Sequence, residues 1–159
     1  MKRIMVAMLA MLAAACAREV SFGPPSIKFG VDVCDGCGMT ISEARYAAAV
    51  AGPRDGERRV FVFDDIGCLA RWEARVSGFV PAGRWVHDRN SERWIEASAA
   101  VFVRSAAWAT PMGSGLAAFS TSADAGTGTE PMRWEQVLDM ARRGALEVPM
   151  SSITRDEAR

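Results

Sequence analysis

The sequence predicts an α+β fold: two related small strand–helix units, each ββαβ-like, packed as one domain. Three observations carry that prediction. Short apolar runs bounded by turn residues recur along the chain, as β-strands do. Two other segments repeat apolar residues every three or four positions, the period of a helix. The order of these signals also repeats. Cys37-Gly38-Met39 precedes an alanine-rich strand, an acidic residue (Asp64 or Asp65) and a helix holding Trp72. Pro111-Met112-Gly113 precedes a short apolar strand, Asp124 and a helix holding Trp134.

Strands are expected at 46–51, 59–64, 85–88, within 94–104 and at 116–121. Residues 97–100 are also compatible with helix. The first helix carries Ile66, Leu69, Trp72 and Val76 on one face, with Asp64-Asp65 placed to cap it. The second carries Trp134, Val137, Leu138 and Ala141, with Pro131 in its first turn and Arg142 and Arg143 in its last.

A chain of 159 residues, 50% apolar, can bury one domain core and is too apolar to remain disordered. Its 19 basic and 19 acidic residues balance, so no basic field is available and nucleic acid is not an expected partner. The N-terminus has a different purpose. Lys2 and Arg3 precede an apolar run from Ile4 to Leu12, shorter than the roughly 20 residues of a membrane span. Ala13-Ala14-Ala15 and Cys16 follow. This reads as a secretory signal, residues 1–15, ending at a cysteine that is acylated after cleavage. Residues 16–32, with Gly23-Pro24-Pro25, read as a lipid-anchored tether. The domain is expected over 33–155, with its two units at about 33–80 and 81–150. Export places it in the periplasm, held at a membrane. Ala17, where Asp would mark retention, favours the outer membrane.

Cys34, Cys37 and Cys68 remain as thiols, an odd number that cannot pair within the chain. Outside the cytoplasm free thiols oxidise unless something protects them. The densest sulfur site is Cys34-Asp35-Gly36-Cys37-Gly38-Met39. Two thiols two residues apart can grip one soft ion, and the Met39 thioether adds a third soft donor, a set that favours Cu(I). Structural zinc needs a second CxxC or a His pair, and His87 is the only histidine. A second sulfur, Met112, lies in the irregular loop Thr110-Pro111-Met112-Gly113-Ser114-Gly115, from which it can meet the first. His87 is an accessory metal candidate. Cys68, beside the apolar stripe of the first helix, reads as a core residue. No hydrolase, P-loop or dinucleotide motif is present, so an enzyme is not expected. Two other readings of CxxC stay open: a thiol–disulfide oxidoreductase, or an accessory lipoprotein with a structural disulfide.

The lipoprotein signal followed by CDGCGMTI, FVFDDIGCLARW, WVHD, WIEASAAVFV and TPMGSGLAAFSTSADA resembles the NosL family, over roughly residues 31–143. NosL proteins are copper-binding lipoproteins of the nitrous oxide reductase gene cluster. The resemblance implies a carrier of Cu(I) for metal-centre assembly in nitrous oxide reductase, working with an ABC-type membrane complex. It implies two related strand–helix units. It also implies sulfur ligands at Cys34, Cys37, Met39 and Met112.

Overall fold

The computed structural model describes residues 23–146. The signal, Cys16 and the last residues of the expected domain lie outside that range. Among the described residues, six strands and two α-helices follow a short 3-10 turn at Ala44–Tyr46, in the order β1 (Ala48–Arg54), β2 (Glu57–Phe63), α1 (Ile66–Arg75), β3 (Gly83–His87), β4 (Trp94–Glu96), β5 (Val101–Arg104), β6 (Leu116–Phe119) and α2 (Trp134–Arg142).

β1 and β2 make a hairpin in register from Ala48 opposite Phe63 to Arg54 opposite Glu57. Its turn is Asp55-Gly56, both in the left-handed region at φ 55° and 79°. Such mirror-image turns match the strand twist, and Asp-Gly suits them best. The far edge of β2 is exposed and bears Arg58 and Arg59, charges that discourage edge pairing. β1 is buried from Ala48 to Gly52 and pairs with β3 on its other side, Ala48 opposite Val86. β4 then pairs with β3, giving a four-stranded antiparallel sheet in the order β2-β1-β3-β4. β5 and β6 form a second antiparallel pair. A single parallel bridge between Asp88 and Ala118 joins the two sheets.

α1 and α2 pack against one another. The main core lies beneath them: Phe63, Ile66, Leu69, Val86, Phe102, Leu116, Trp134 and Val137. Alternation along β5 sends Phe102 into this core, while Val101 and Val103 enter a smaller cluster with Tyr46, Ala117 and Phe119. Among the described residues no helix is long and apolar enough to cross a membrane.

The mixed class and the two helices agree with the sequence. The wiring of the halves differs. β3 belongs to the second half but completes the sheet of the first. β6 pairs backward with β5 and has no hairpin strand after it. The physical reason lies in β1, whose apolar run needs a partner strand on each edge; β2 supplies only one. Residues 97–100 are a turn, not a helix. Pro131 stands ahead of the N-cap Arg133, outside the first turn of α2. There the Gln136 side chain accepts the Arg133 N–H at 2.8 Å. The tether boundary also shifts. Ile27 packs against the main core, and the Gly30 N–H donates to the Ile41 carbonyl at 2.8 Å, so the folded chain starts before residue 33.

Candidate metal centre

The Cys34–Met39 segment is a closed turn. Val33 and Thr40 pair across its mouth in an antiparallel bridge. The Cys34 N–H donates to the Met39 carbonyl at 2.8 Å, and the Gly38 N–H to the Cys34 carbonyl at 2.9 Å. Gly38 sits at φ 77°, where a side chain would be strained. Asp35 fastens the turn to β2: its N–H donates to the Val62 carbonyl at 2.9 Å, and its carboxylate accepts the Val62 N–H at 2.7 Å. Gly36 lies flat against the start of α1. A Cβ there would stand 3.3 Å from both Cys68 Cβ and Phe63 Cδ1, closer than packed side chains normally come.

That helix start brings in a third sulfur. Asp65 caps α1 by accepting the Gly67 N–H at 2.6 Å, and Cys68 is the third residue of the helix. The Sγ atoms of Cys34, Cys37 and Cys68 all lie within 4.8 Å of one another. Cys34 and Cys68 are buried, Cys37 is half-buried, and all three are free thiols.

The three are not equivalent. The Cys68 thiol donates to the Cys34 sulfur, which pulls the Cys34 pKa down to about 5 against burial, helped by backbone N–H groups of Asp64, Cys37 and Gly36. Burial pushes the Cys37 thiol up, and the neighbouring Cys34 adds to the rise. Cys68 is raised furthest, because it gives its hydrogen to Cys34 and because it is buried. Of the three, Cys34 is the thiol readiest to give up its proton and Cys68 the least ready. Three thiols this close suit a soft ion in low coordination.

The other predicted residues are distributed around this cluster. Met39 is 55% exposed at the lip of the turn, and its backbone N–H serves the Cys37 sulfur. Met112 packs, half-buried, against the main core. Its N–H donates to the Asp65 carboxylate at 3.2 Å, which ties its loop to the helix end that carries Cys68. His87 stands on β3, buried, stacked on Trp94 with ring centres 3.7 Å apart. Burial lowers its pKa, and it is not part of the three-thiol group. The CxxC turn does not open a helix, the usual setting for a thiol-exchange pair.

Residues 29–130 match the NosL family model. The chain belongs to the NosL family. Its fold is similar to the crystal structure of the copper chaperone NosL from Shewanella denitrificans. The two share 24% sequence identity over 71% of this chain and 96% of that one, with a TM-score of 0.55. Among curated proteins there is no match.

In this NosL-family domain Cys68 is the residue that sequence reasoning left in the core. Helical periodicity places it beside Leu69 and Trp72, so burial accounts for it without a ligand role. The signal that singles it out is the odd thiol count, together with its place in the first turn of a capped helix.

Proposed function

We propose that this chain is a copper chaperone, a carrier and not an enzyme, whose cargo is Cu(I). The single observation that carries the reading is the convergence of the Cys34, Cys37 and Cys68 sulfur atoms within 4.8 Å. Thiolate donors in low coordination select Cu(I) over harder ions. A zinc site would need a fourth protein ligand, and the only histidine is stacked away on Trp94. The half-buried Cys37 gives a recipient access to the ion, so transfer proceeds by ligand exchange. The Met39 and Met112 thioethers, one on the lip and one on the adjoining loop, are the reserve donors for that exchange.

The chain works in the periplasm, anchored through acylated Cys16, with the outer membrane favoured. Its client is nitrous oxide reductase, reached through an ABC-type maturation complex. Membership of the NosL family and the lipoprotein-type N-terminus support these steps.

Titration of the reduced chain with Cu(I) against a competing chelator, with metal analysis, tests the cargo. One Cu(I) per chain, not displaced by excess zinc, is expected. Zinc binding that copper does not displace would sink the reading. Fractionation of Cys16→Ser tests the anchor: the variant leaves the membrane fraction and keeps its copper.

A further inference from the structure

We propose that Arg71 is a positioning residue for the copper cargo. Its guanidinium fixes the Cys68 sulfur and offsets the negative charge of the loaded site. The inference rests on the copper reading above and deepens it.

Arg71 stands one helical turn beyond Cys68, on the same face of α1. Its Nη2 donates to Cys68 Sγ at 3.3 Å, and its Nη1 donates to the Leu146 carbonyl at 2.8 Å. Both arms of the fork are thus engaged, one by a sulfur and one by a carbonyl, and among the described residues neither meets a carboxylate. The second anchor, just beyond α2, holds the cation in place without neutralising it. A guanidinium stays charged at every accessible pH and is weakly hydrated, so it tolerates this half-buried position.

The charge count gives it a task. Three thiolates around one Cu(I) leave a net charge of −2 in a site where Cys34 and Cys68 are buried. The Asp64 and Asp65 carboxyls are also buried at this end of α1 and supply no positive charge. An uncompensated buried charge is costly. Among the described residues, Arg71 is the cation within hydrogen-bond reach of a ligand sulfur. It also sets an order of release. Cys68, clamped and buried, lets go last, and Cys37, half-buried and unclamped, is the sulfur that a recipient displaces first.

Arg71→Gln keeps a donor for Leu146 and removes the charge; Arg71→Lys keeps the charge and loses the fork. Each is titrated in the full chain with Cu(I) alone against a chelator, and its release is timed after the chelator is added. Outer-shell partners of metal ligands are typically worth about 10- to 100-fold in affinity. The Gln variant should bind about tenfold more weakly and release faster, with the Lys variant between it and the unaltered chain. In a Cys68→Ser background, Arg71→Gln should change affinity by less than about twofold, since the two act through one sulfur. Full affinity in Arg71→Gln, or an undiminished effect without Cys68, overturns the proposal while leaving the copper reading intact. If Arg71→Gln does not fold, the Lys variant decides, and a loss of more than about 100-fold there overturns a role for the charge. An unaltered chain that takes up no Cu(I) sinks both readings.

Discussion

The two methionine-bearing loops, residues 34–39 and 110–115, hold matching places in the sequence and are built in opposite ways. In the first, backbone groups close the turn. In the second, polar side chains hold the loop together. Thr110 Oγ1 accepts the Gly115 N–H at 3.1 Å, Ser114 Oγ accepts the Leu116 N–H at 3.2 Å, and the two hydroxyls lie 3.4 Å apart. Ser114 also presses on α1: a Cβ on Gly67 would stand 2.5 Å from Ser114 Cβ. The first loop presents sulfur; the second braces the helix end that delivers Cys68. A shared position in a repeat therefore does not bring a shared chemistry. What separates the loops is that the first brings two thiols of its own to the Cys68 end of α1.

The sharpest way to break this comparison is to remove thiols. Cys34→Ser and Cys37→Ser should each weaken Cu(I) binding by more than about 100-fold, beyond what the loss of an outer-shell partner costs. Cys68→Ser should cost at least about tenfold. Chelator competition measures all three, and a Cys68→Ser chain with unaltered affinity would confine the site to the CxxC turn.

The bracing role predicts damage of another kind. Gly67→Ala forces α1 and the 110–115 loop apart and should destabilise the fold by about 1–3 kcal/mol, the usual cost of overpacking. Denaturant unfolding of the metal-free chain reads this directly. A neutral result would mean that the loop yields and braces nothing.

Met112→Leu sharpens the contrast from the other side. The swap keeps volume and should cost under about 1.5 kcal/mol of stability. Cu(I) affinity should fall, but by less than about tenfold, so that Met112 assists a site that the thiols make. Unchanged affinity would leave Met112 as packing alone; a loss equal to that of Cys37→Ser would make it a principal ligand.

The smallest effect is one of pH. The folded pKa of Cys34, about 5, lies below the ordinary 9.0, so its contribution to stability is fully present above the unfolded value. It disappears as pH falls through about 5. Cys37 and Cys68 are shifted upward, so below the ordinary thiol value both are protonated in the folded and unfolded chains and add no slope. The melting-temperature difference between the reduced, metal-free chain and Cys34→Ser should therefore widen from about pH 5 to pH 9. Parallel curves would show that the Cys34 thiolate is not stabilised by the fold.

Most of the elements were legible because their signals are local. The period of Ile66, Leu69 and Trp72, the Asp65 cap and the alternating run of β5 each act within a few residues of where they are written. The CxxC turn was legible for the same reason, since its two thiols are neighbours by spacing. The placement of β3 beside β1 was not. Strand order depends on which apolar edge is left unpaired after the hairpin closes, and no short window of sequence records that.

The sequence by itself determined the strands, the helix with its cap, and a two-thiol turn rich in glycine. Only the tertiary structure decided that Cys68 faces that turn and that Arg71 faces Cys68. It also decided that the Met112 loop serves as a brace and that His87 is absorbed by Trp94. The physical reason is range. Periodicity and capping fix which way a side chain leaves its own backbone. A three-sulfur cluster also needs a loop, a strand and a helix end brought to one point, and that follows from packing at Gly36 and Gly67, where the lack of a Cβ leaves room for the side chains of Cys68, Phe63 and Ser114.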